Sequence, residues 1–143
     1  RTLSKAVRAY RAEGRHEIGL VVNLAPKHAA SDKAEVVAAA RRADAYMNRQ
    51  YLDPVFLGRY PGALREVFGE GWPEWPDADM TLLREPIDFV GVNYYTRSVT
   101  RHDPASWPVR ASSVPQRVHS ASYSGTIFPQ PGHCRRTSLR SER

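Results

Sequence analysis

Apolar residues follow a helical period and then a strand-like run over the first 26 residues. Gly14 supplies a stop signal after the helical pattern. The next segment, EIGLVVNLAP, is rich in β-branched residues and ends at Pro26, which predicts a strand over 18–24. This run is apolar on both faces, as expected for a strand that lies between helices and a core. The residues that recur at helical spacing before it are Leu3, Ala6, Val7 and Tyr10.

A second helix is predicted over residues 32–49. Asp32 is positioned to cap its first turn, with Glu35 three residues later in a variant of the capping box. One face of this helix carries apolar side chains at helical spacing, which predicts a buried stripe. Its members are Val36, Ala39, Ala40, Ala43 and Met47.

The connection over 51–85 is less regular, because Pro54 and Pro61 interrupt it. A short helix is expected over 62–68, and Asp79 is positioned to cap a helical turn formed by MTLLRE. A second strand follows over 87–94. Strands that alternate with helices predict an α/β fold with a parallel sheet, although two strands alone cannot close one.

Residues 97–143 show no sustained periodicity and are rich in Ser, Pro and Arg, so we predict loop followed by disorder. They also carry the whole excess of the net charge of +6, with eight Arg against Asp103 and Glu142. This basic tail leaves open an alternative function, a small non-enzymatic protein that binds nucleic acid or another anionic surface. Nucleic acid is the weaker expectation, because the Arg residues lack interleaved aromatic residues and any nucleic-acid-binding motif.

The remaining composition narrows the class of protein. A chain of 143 residues suits one domain, and no apolar run reaches the roughly 18 residues needed to span a membrane. The single cysteine, Cys134, excludes an internal disulfide framework and a cysteine-based zinc site. A reducing, cytoplasmic location is therefore expected.

Polar side chains follow both predicted strands at their carboxyl ends. Alternate residues of a strand share a face, so Asn93 and Tyr95 lie on one side of the second strand, and Asn23 ends the corresponding side of the first. Parallel α/β barrels place their chemistry at this end of the strands. The alternative is that these groups bond only to loop backbone and bind no ligand.

Three segments in register resemble family 1 of the glycoside hydrolases, the β-glucosidase family. They are IGLVVNLAP, RRADAYMNRQYLDPVFLGRYP and IDFVGVNYYT, and the resemblance extends over about residues 3–110. It implies a fragment of a (β/α)8 TIM barrel in which residues 18–24 and 87–94 are the fifth and sixth strands. The predicted organisation is a partial barrel domain over 1–110 and a divergent tail over 111–143.

The resemblance also implies a reaction, the retaining hydrolysis of a β-glycosidic bond without a cofactor or metal. That reaction needs two carboxyl groups about 5–5.5 Å apart, one as acid/base and one as nucleophile. The family carries them in an Asn-Glu-Pro motif and a Thr-Glu-Asn-Gly motif, and neither motif occurs in this sequence. We therefore expect no catalytic residue in this chain and no activity of the chain alone.

The resemblance also implies residues that surround the catalytic carboxylates and the sugar without taking part in bond cleavage. It implies that Tyr95 hydrogen-bonds the nucleophile and that Asn93 lies at the floor of the sugar site, with Asn23 at its rim. Trp72 and Trp75 are candidates for an aromatic wall against the sugar, although packing beneath the loop is the favoured interpretation. A β-glycoside or oligosaccharide is the implied substrate.

The family pattern fades after about residue 110, where the residue usage also changes. The chain has 18 Arg and 3 Lys, which suggests GC-rich coding DNA. A shifted reading frame or a truncated gene would explain this change, and an authentic short protein with a basic tail is the alternative. A further hypothesis is that the chain complements a separately encoded remainder of the barrel.

Overall fold

The computed structural model describes residues 2–117 and 123–127. The helices are α1 (Thr2–Glu13), α2 (Ala34–Asp44), α3 (Gln50–Leu57), α4 (Ala63–Phe68) and α5 (Asp77–Leu83). A π-helical turn, Ala45–Arg49, joins α2 to α3, and a 3-10 turn, Gly69–Gly71, follows α4. The strands are β1 (Gly19–Leu24), β2 (Lys27–Ala29), β3 (Phe89–Tyr94), β4 (Thr96–His102), β5 (Ala111–Arg117) and β6 (Tyr123–Ile127).

The two predicted strands form a parallel pair, as the α/β pattern required. β1 and β3 are hydrogen-bonded in register from Gly19 opposite Phe89 to Leu24 opposite Tyr94. The close approach at the start of this ladder needs a glycine, because a Cβ on Gly19 would lie 2.4 Å from the carbonyl oxygen of Phe89. The prediction of a parallel α/β unit is confirmed for this pair.

Helices cover one face of the β1–β3 pair. Val22 and Val90 are buried on that face and form the main core with Val7 of α1 and Ile87. Leu52, Val55 and Phe56 of α3 pack against the same core. The core therefore lies on one side of the pair, between its strands and helices α1 and α3.

A second sheet extends from the carboxyl ends of β1 and β3. β4 is its central strand, with β2 parallel on one side and β5 antiparallel on the other. The prediction of loop and disorder after residue 97 is therefore wrong over 97–102, 111–117 and 123–127, and it otherwise falls partly outside the described residues. The physical reason is that the inward side chains of β4 are polar: Ser98 and Thr100 are buried, so no apolar alternation marks the strand.

Strand β6 occupies the outer edge of β3. It pairs antiparallel over its whole length, with Val90 opposite Ile127 and Tyr94 opposite Tyr123. The order of this sheet is β1-β3-β6, so β1 is an edge strand within the described residues.

The second helix differs from its prediction at both ends. It begins at Ala34 with Lys33 as the N-cap residue and no side-chain cap, so the predicted capping by Asp32 and Glu35 is wrong. Asp32 lies one residue too early to reach the free N–H groups of the first turn. At the other end Met47 is 45% exposed, because the π-helical turn breaks the 3.6-residue period and turns Asn48 inward instead.

Two further local predictions are corrected. Pro54 does not break the chain, because α3 continues past it to Gly58, whose left-handed backbone ends the helix. Pro54 costs the helix one backbone hydrogen bond, and its ring is buried against the rest of the fold. Asp79 does not cap α5, which begins two residues earlier with Pro76 as its N-cap.

Candidate functional site

The open face of the β1–β3 pair carries the predicted site residues. Asn23 and Asn93 are Cα partners in the parallel ladder, so the strands bring the two amide side chains together on one face. Both are exposed, and Tyr95, one residue beyond the end of β3, is 65% exposed. Val21, in the middle of β1 on the same face, is 61% exposed, so no helix of the described part of the chain covers this face.

The start of the open face is small and close-packed. Val21 lies opposite Gly91 in the ladder, and a Cβ on Gly91 would come within 3.0 Å of the Val21 side chain. Glycine at this position therefore leaves room for the Val21 side chain below Asn23 and Asn93. The polar groups therefore stand at the edge of an otherwise apolar surface.

A groove of about 720 Å³ runs along the free edge of β1. Asn23 lines it together with Met47 and Tyr51 from the helical side, whereas Asn93 and Tyr95 lie outside its lining. Its volume is within the range of small-molecule sites, which is about 300–1,000 Å³. Asn23 is thus the one predicted site residue that faces both the open sheet and this groove.

A polar cluster that sequence reasoning missed lies where β1 passes into β2. The amide of Asn48 accepts a hydrogen bond from the Ala25 N–H (3.0 Å) and donates to the Ala25 carbonyl oxygen (3.1 Å). It also donates to Oδ1 of Asp44 (2.6 Å). Asn inside a helix is disfavoured unless its side chain bonds backbone, and that was the signal available in the sequence.

Lys27 belongs to the same cluster. Its Nζ donates to the Ser98 hydroxyl at 3.1 Å across the β2–β4 ladder. Burial lowers the pKa of Lys27, and the nearby carboxylate of Asp44 opposes that shift in part. The turn at the end of β1 is therefore held by the Asn48 amide from the helical side and by the Lys27–Ser98 hydrogen bond from the second sheet.

Three carboxylates outside the open face form ion pairs with arginines. Glu66 pairs with Arg41 at 2.5 Å and Glu74 with Arg65 at 3.1 Å, both on the surface. Asp53 lies within α3 and pairs with Arg49 at 2.7 Å.

Asp88 lies at the opposite end of the strands from the two Asn residues. Its carboxylate accepts hydrogen bonds from the Arg11 guanidinium (2.6 Å) and the Ile18 N–H (2.7 Å). The Arg11 hydrogen bond, followed by the Ile18 one, lowers the pKa of Asp88. This carboxylate joins α1, β1 and β3 and stabilises the start of the sheet.

Trp72 and Trp75 pack within an aromatic cluster. Tyr60 contacts both, with ring centroids 5.4 Å from Trp72 and 5.5 Å from Trp75, and Phe68 stacks on Trp72 at 5.6 Å. Burial in this cluster raises the pKa of Tyr60. The packing interpretation of the two tryptophans is confirmed.

The described residues contain neither a metal-binding cluster nor a membrane-spanning helix. Over 2–117 and 123–127, no group of three His, Cys, Asp or Glu side chains is placed to hold a metal ion. Across the same residues, no helix combines the length and apolarity needed to cross a bilayer.

The parallel β1–β3 pair, with helices on one face and polar groups at its carboxyl ends, has the arrangement of two adjacent strands in an α/β barrel, whereas the antiparallel β6 does not. A family model described as glycosyl hydrolase family 1 matches residues 2–130. The chain belongs to this family. The match runs past residue 110, where the sequence analysis placed the beginning of a divergent tail.

Individual relatives agree with the family match. Beta-glucosidase A of Acetivibrio thermocellus is 32% identical over 118 residues, which covers 80% of this chain and 26% of the relative. Beta-glucosidase 4 of Oryza sativa subsp. japonica is 38% identical over 96 residues, covering 66% of this chain and 20% of the relative.

Solved structures of the family superpose on the chain. The Thermotoga maritima family 1 glycoside hydrolase, complexed with a cyclophellitol analogue, has a TM-score of 0.70 at 34% identity. A beta-glucosidase from Exiguobacterium marinum has a TM-score of 0.69 at 30% identity. These matches cover 80% and 78% of this chain but 26% of each solved chain, so this chain spans about a quarter of their length.

Proposed function

We propose that this chain forms part of the sugar-binding floor of a retaining β-glucosidase. The observation that carries the proposal is the register of β1 and β3, which sets Asn23 beside Asn93 on a face that no helix covers in the described residues. Amide groups donate and accept hydrogen bonds, which suits recognition of sugar hydroxyls. A barrel lumen is where such a face would lie in the complete family fold.

Each predicted residue has a distinct part in this proposal. Tyr95 donates a hydrogen bond from its hydroxyl to the carboxylate nucleophile and holds it in its reactive orientation. Asn93 binds the sugar beside it, and Asn23 binds at the rim, where it also lines the groove beside β1. A hydrogen bond to a charged partner contributes about 1.5–3 kcal/mol, so loss of the Tyr95 hydroxyl should be measurable.

The ligands of relatives support the choice of substrate class. The Thermotoga maritima enzyme is described in complex with deoxynojirimycin and with isofagomine lactam. By analogy, the substrate proposed for the protein to which this chain belongs is a β-glucoside.

The carboxyl groups of the reaction come from outside this sequence in our proposal. A retaining mechanism needs an acid/base and a nucleophile about 5–5.5 Å apart. Glu66, Glu74 and Asp53 are each engaged with arginines away from the open face. The 143-residue chain alone should therefore not turn over an aryl β-glucoside, and clear turnover by the purified chain would refute this part of the proposal.

A chimera tests the proposal as a whole. The segment of the Thermotoga maritima enzyme that aligns with residues 2–117 is replaced by this chain's residues, and aryl β-glucoside hydrolysis is measured. We expect hydrolysis that is lost when the nucleophile of the Thermotoga part is removed. A chimera that folds but shows no hydrolysis would contradict the proposed function.

A further inference from the structure

The pairing of the two strand systems shifts by one residue at the candidate site. In the first sheet Leu24 lies opposite Tyr94, and in the second sheet Lys27 lies opposite Ser98. The connection from β1 to β2 therefore has two residues, 25 and 26, whereas the neighbouring segment from Tyr94 to Ser98 has three, 95–97. Such a bulge leaves one residue unpaired, and bulges are common next to active sites, where they re-aim a side chain.

The shorter side of the bulge is completed by a side chain instead of a strand. Ala25 bonds through both its N–H and its carbonyl oxygen to the amide of Asn48, at 3.0 and 3.1 Å. Pro26 has no N–H, and its carbonyl oxygen accepts from Ser98 N–H at 2.9 Å. Asn48 thus replaces the backbone partner that Ala25 lacks.

Asn48 is itself fixed in place. It is 5% exposed, lies on the π-helical turn and donates to Asp44 at 2.6 Å. Without the extra residue of that turn, the helical period would place a different side chain against Ala25. Single π turns of this kind occur often at functional sites.

We propose that Asn48 is a positioning residue that sets this register shift and thereby holds Tyr95 between the two ladders, beside Asn93. This inference rests on the proposed function for the roles of Tyr95 and Asn93. Buried backbone groups need partners. When the Asn48 amide is removed, Ala25 regains partners by pairing with the opposite strand, and that pairing removes the bulge and slides β2 by one residue.

Two cysteine pairs measure the register directly, in the 143-residue chain carrying Cys134→Ser. His28 lies opposite Val99 in the observed register, and it would lie opposite Ser98 in the unshifted one. His28→Cys with Val99→Cys therefore reports the observed register, and His28→Cys with Ser98→Cys reports the other. Paired strand positions fall within the Cα separations that a disulfide allows.

The measured quantity is the amount of disulfide formed by the Val99 pair divided by the amount formed by the Ser98 pair. We expect this preference for the Val99 pair to fall about tenfold or more in Asn48→Ala, as the loss of one or two backbone hydrogen bonds implies. Gln50→Ala is the matched control, because the Gln50 amide bonds Tyr46 within the helix and not β1. An unchanged preference in Asn48→Ala overturns the inference.

Asn48→Asp provides the second variant if Asn48→Ala fails to fold. The new carboxylate accepts from Ala25 N–H but cannot donate to the Ala25 carbonyl or to Asp44. Protonation restores a donor, and it is favoured by the Asp44 carboxylate that faces this position, so the preference for the Val99 pair should be greater at about pH 4 than at about pH 8. Both pairs are compared at the same pH, so the thiol chemistry cancels, and a ratio that does not vary with pH overturns the inference.

The chimera separates this inference from the proposed function. Asn48→Ala there should lower kcat by about tenfold with a smaller change in KM, because the displaced Tyr95 acts on the nucleophile rather than on sugar binding. An inactive parent chimera would contradict the proposed function, whereas the disulfide ratios would still test the role of Asn48 in setting the register. An active chimera whose kcat is unchanged by Asn48→Ala would end the inference alone.

Discussion

The two faces of the β1–β3 pair differ sharply in how far their side chains are exposed. On one face Val22 and Val90 are 8% and 5% exposed beneath α1 and α3. On the other, Val21 is 61% exposed although it directly precedes Val22 in β1. The comparison teaches that the covered face stabilises the fold, whereas the open face carries the polar groups that the proposed function uses.

The largest expected effect breaks the covered face. Val90→Ala removes two buried methyl groups from the main core and should lower the free energy of unfolding by roughly 2 kcal/mol. Val21→Ala removes the same atoms from the open face and should change it by less than about 0.5 kcal/mol. Urea unfolding of both variants checks the comparison, and equal losses would show that the open face is covered in solution.

A smaller effect is expected from the polar end of the open face. In the chimera, Tyr95→Phe should lower kcat by about tenfold or more, because one hydrogen bond to a charged carboxylate is lost. Tyr94→Phe is the matched control, since Tyr94 is adjacent in sequence and, by strand alternation, lies on the other face of β3. Steady-state hydrolysis of an aryl β-glucoside measures both, and the same loss in the two variants would argue against a specific role for Tyr95.

The smallest effect concerns the opposite end of the strands, where Asp88 joins Arg11 and Ile18. Its pKa is lowered by these bonds, so its stabilisation is complete above the ordinary value of 3.8 and is lost as the pH falls through the lower folded value. At neutral pH the free energy of unfolding of the wild type should exceed that of Asp88→Asn by about 1 kcal/mol or less.

That difference should narrow below about pH 4, as thermal unfolding across pH can measure. A stability gap that is constant between neutral and acidic pH would show that Asp88 acts through packing and not through its charge.

The strand pair could be predicted from the sequence because alternation fixes which side chains share a face. Asn23 and Asn93 were expected on corresponding sides of their strands, and the ladder confirms this arrangement by pairing them directly. The roles assigned to Asn23, Asn93 and Tyr95 stay predictions.

The second sheet could not be predicted by the same logic. β4 buries Ser98 and Thr100, and the Thr100 hydroxyl lies 3.0 Å from that of Ser113 on β5. Hydrogen-bonded polar residues take the place of an apolar stripe, so the hydropathy pattern does not predict this strand. Proline is also disfavoured in strands, yet Pro115 lies within β5, which is an edge strand in the described part of the chain.

The Asn48 cluster escaped prediction for a different reason. A regular helical period placed Met47 on the buried stripe, and only the π-helical turn turns Asn48 toward Ala25. An extra residue in a helix leaves no hydrophobic signature, since it changes which residues face inward without changing their composition.

The most direct test of the account is a crystal structure of the chimera with bound deoxynojirimycin. We predict that the Asn93 amide and the Tyr95 hydroxyl lie on the lumen side, with Asn93 within hydrogen-bond distance of the sugar analogue and Tyr95 within that distance of the nucleophile carboxylate. A structure in which both side chains point away from the ligand, toward solvent outside the barrel or a covering helix, would contradict it.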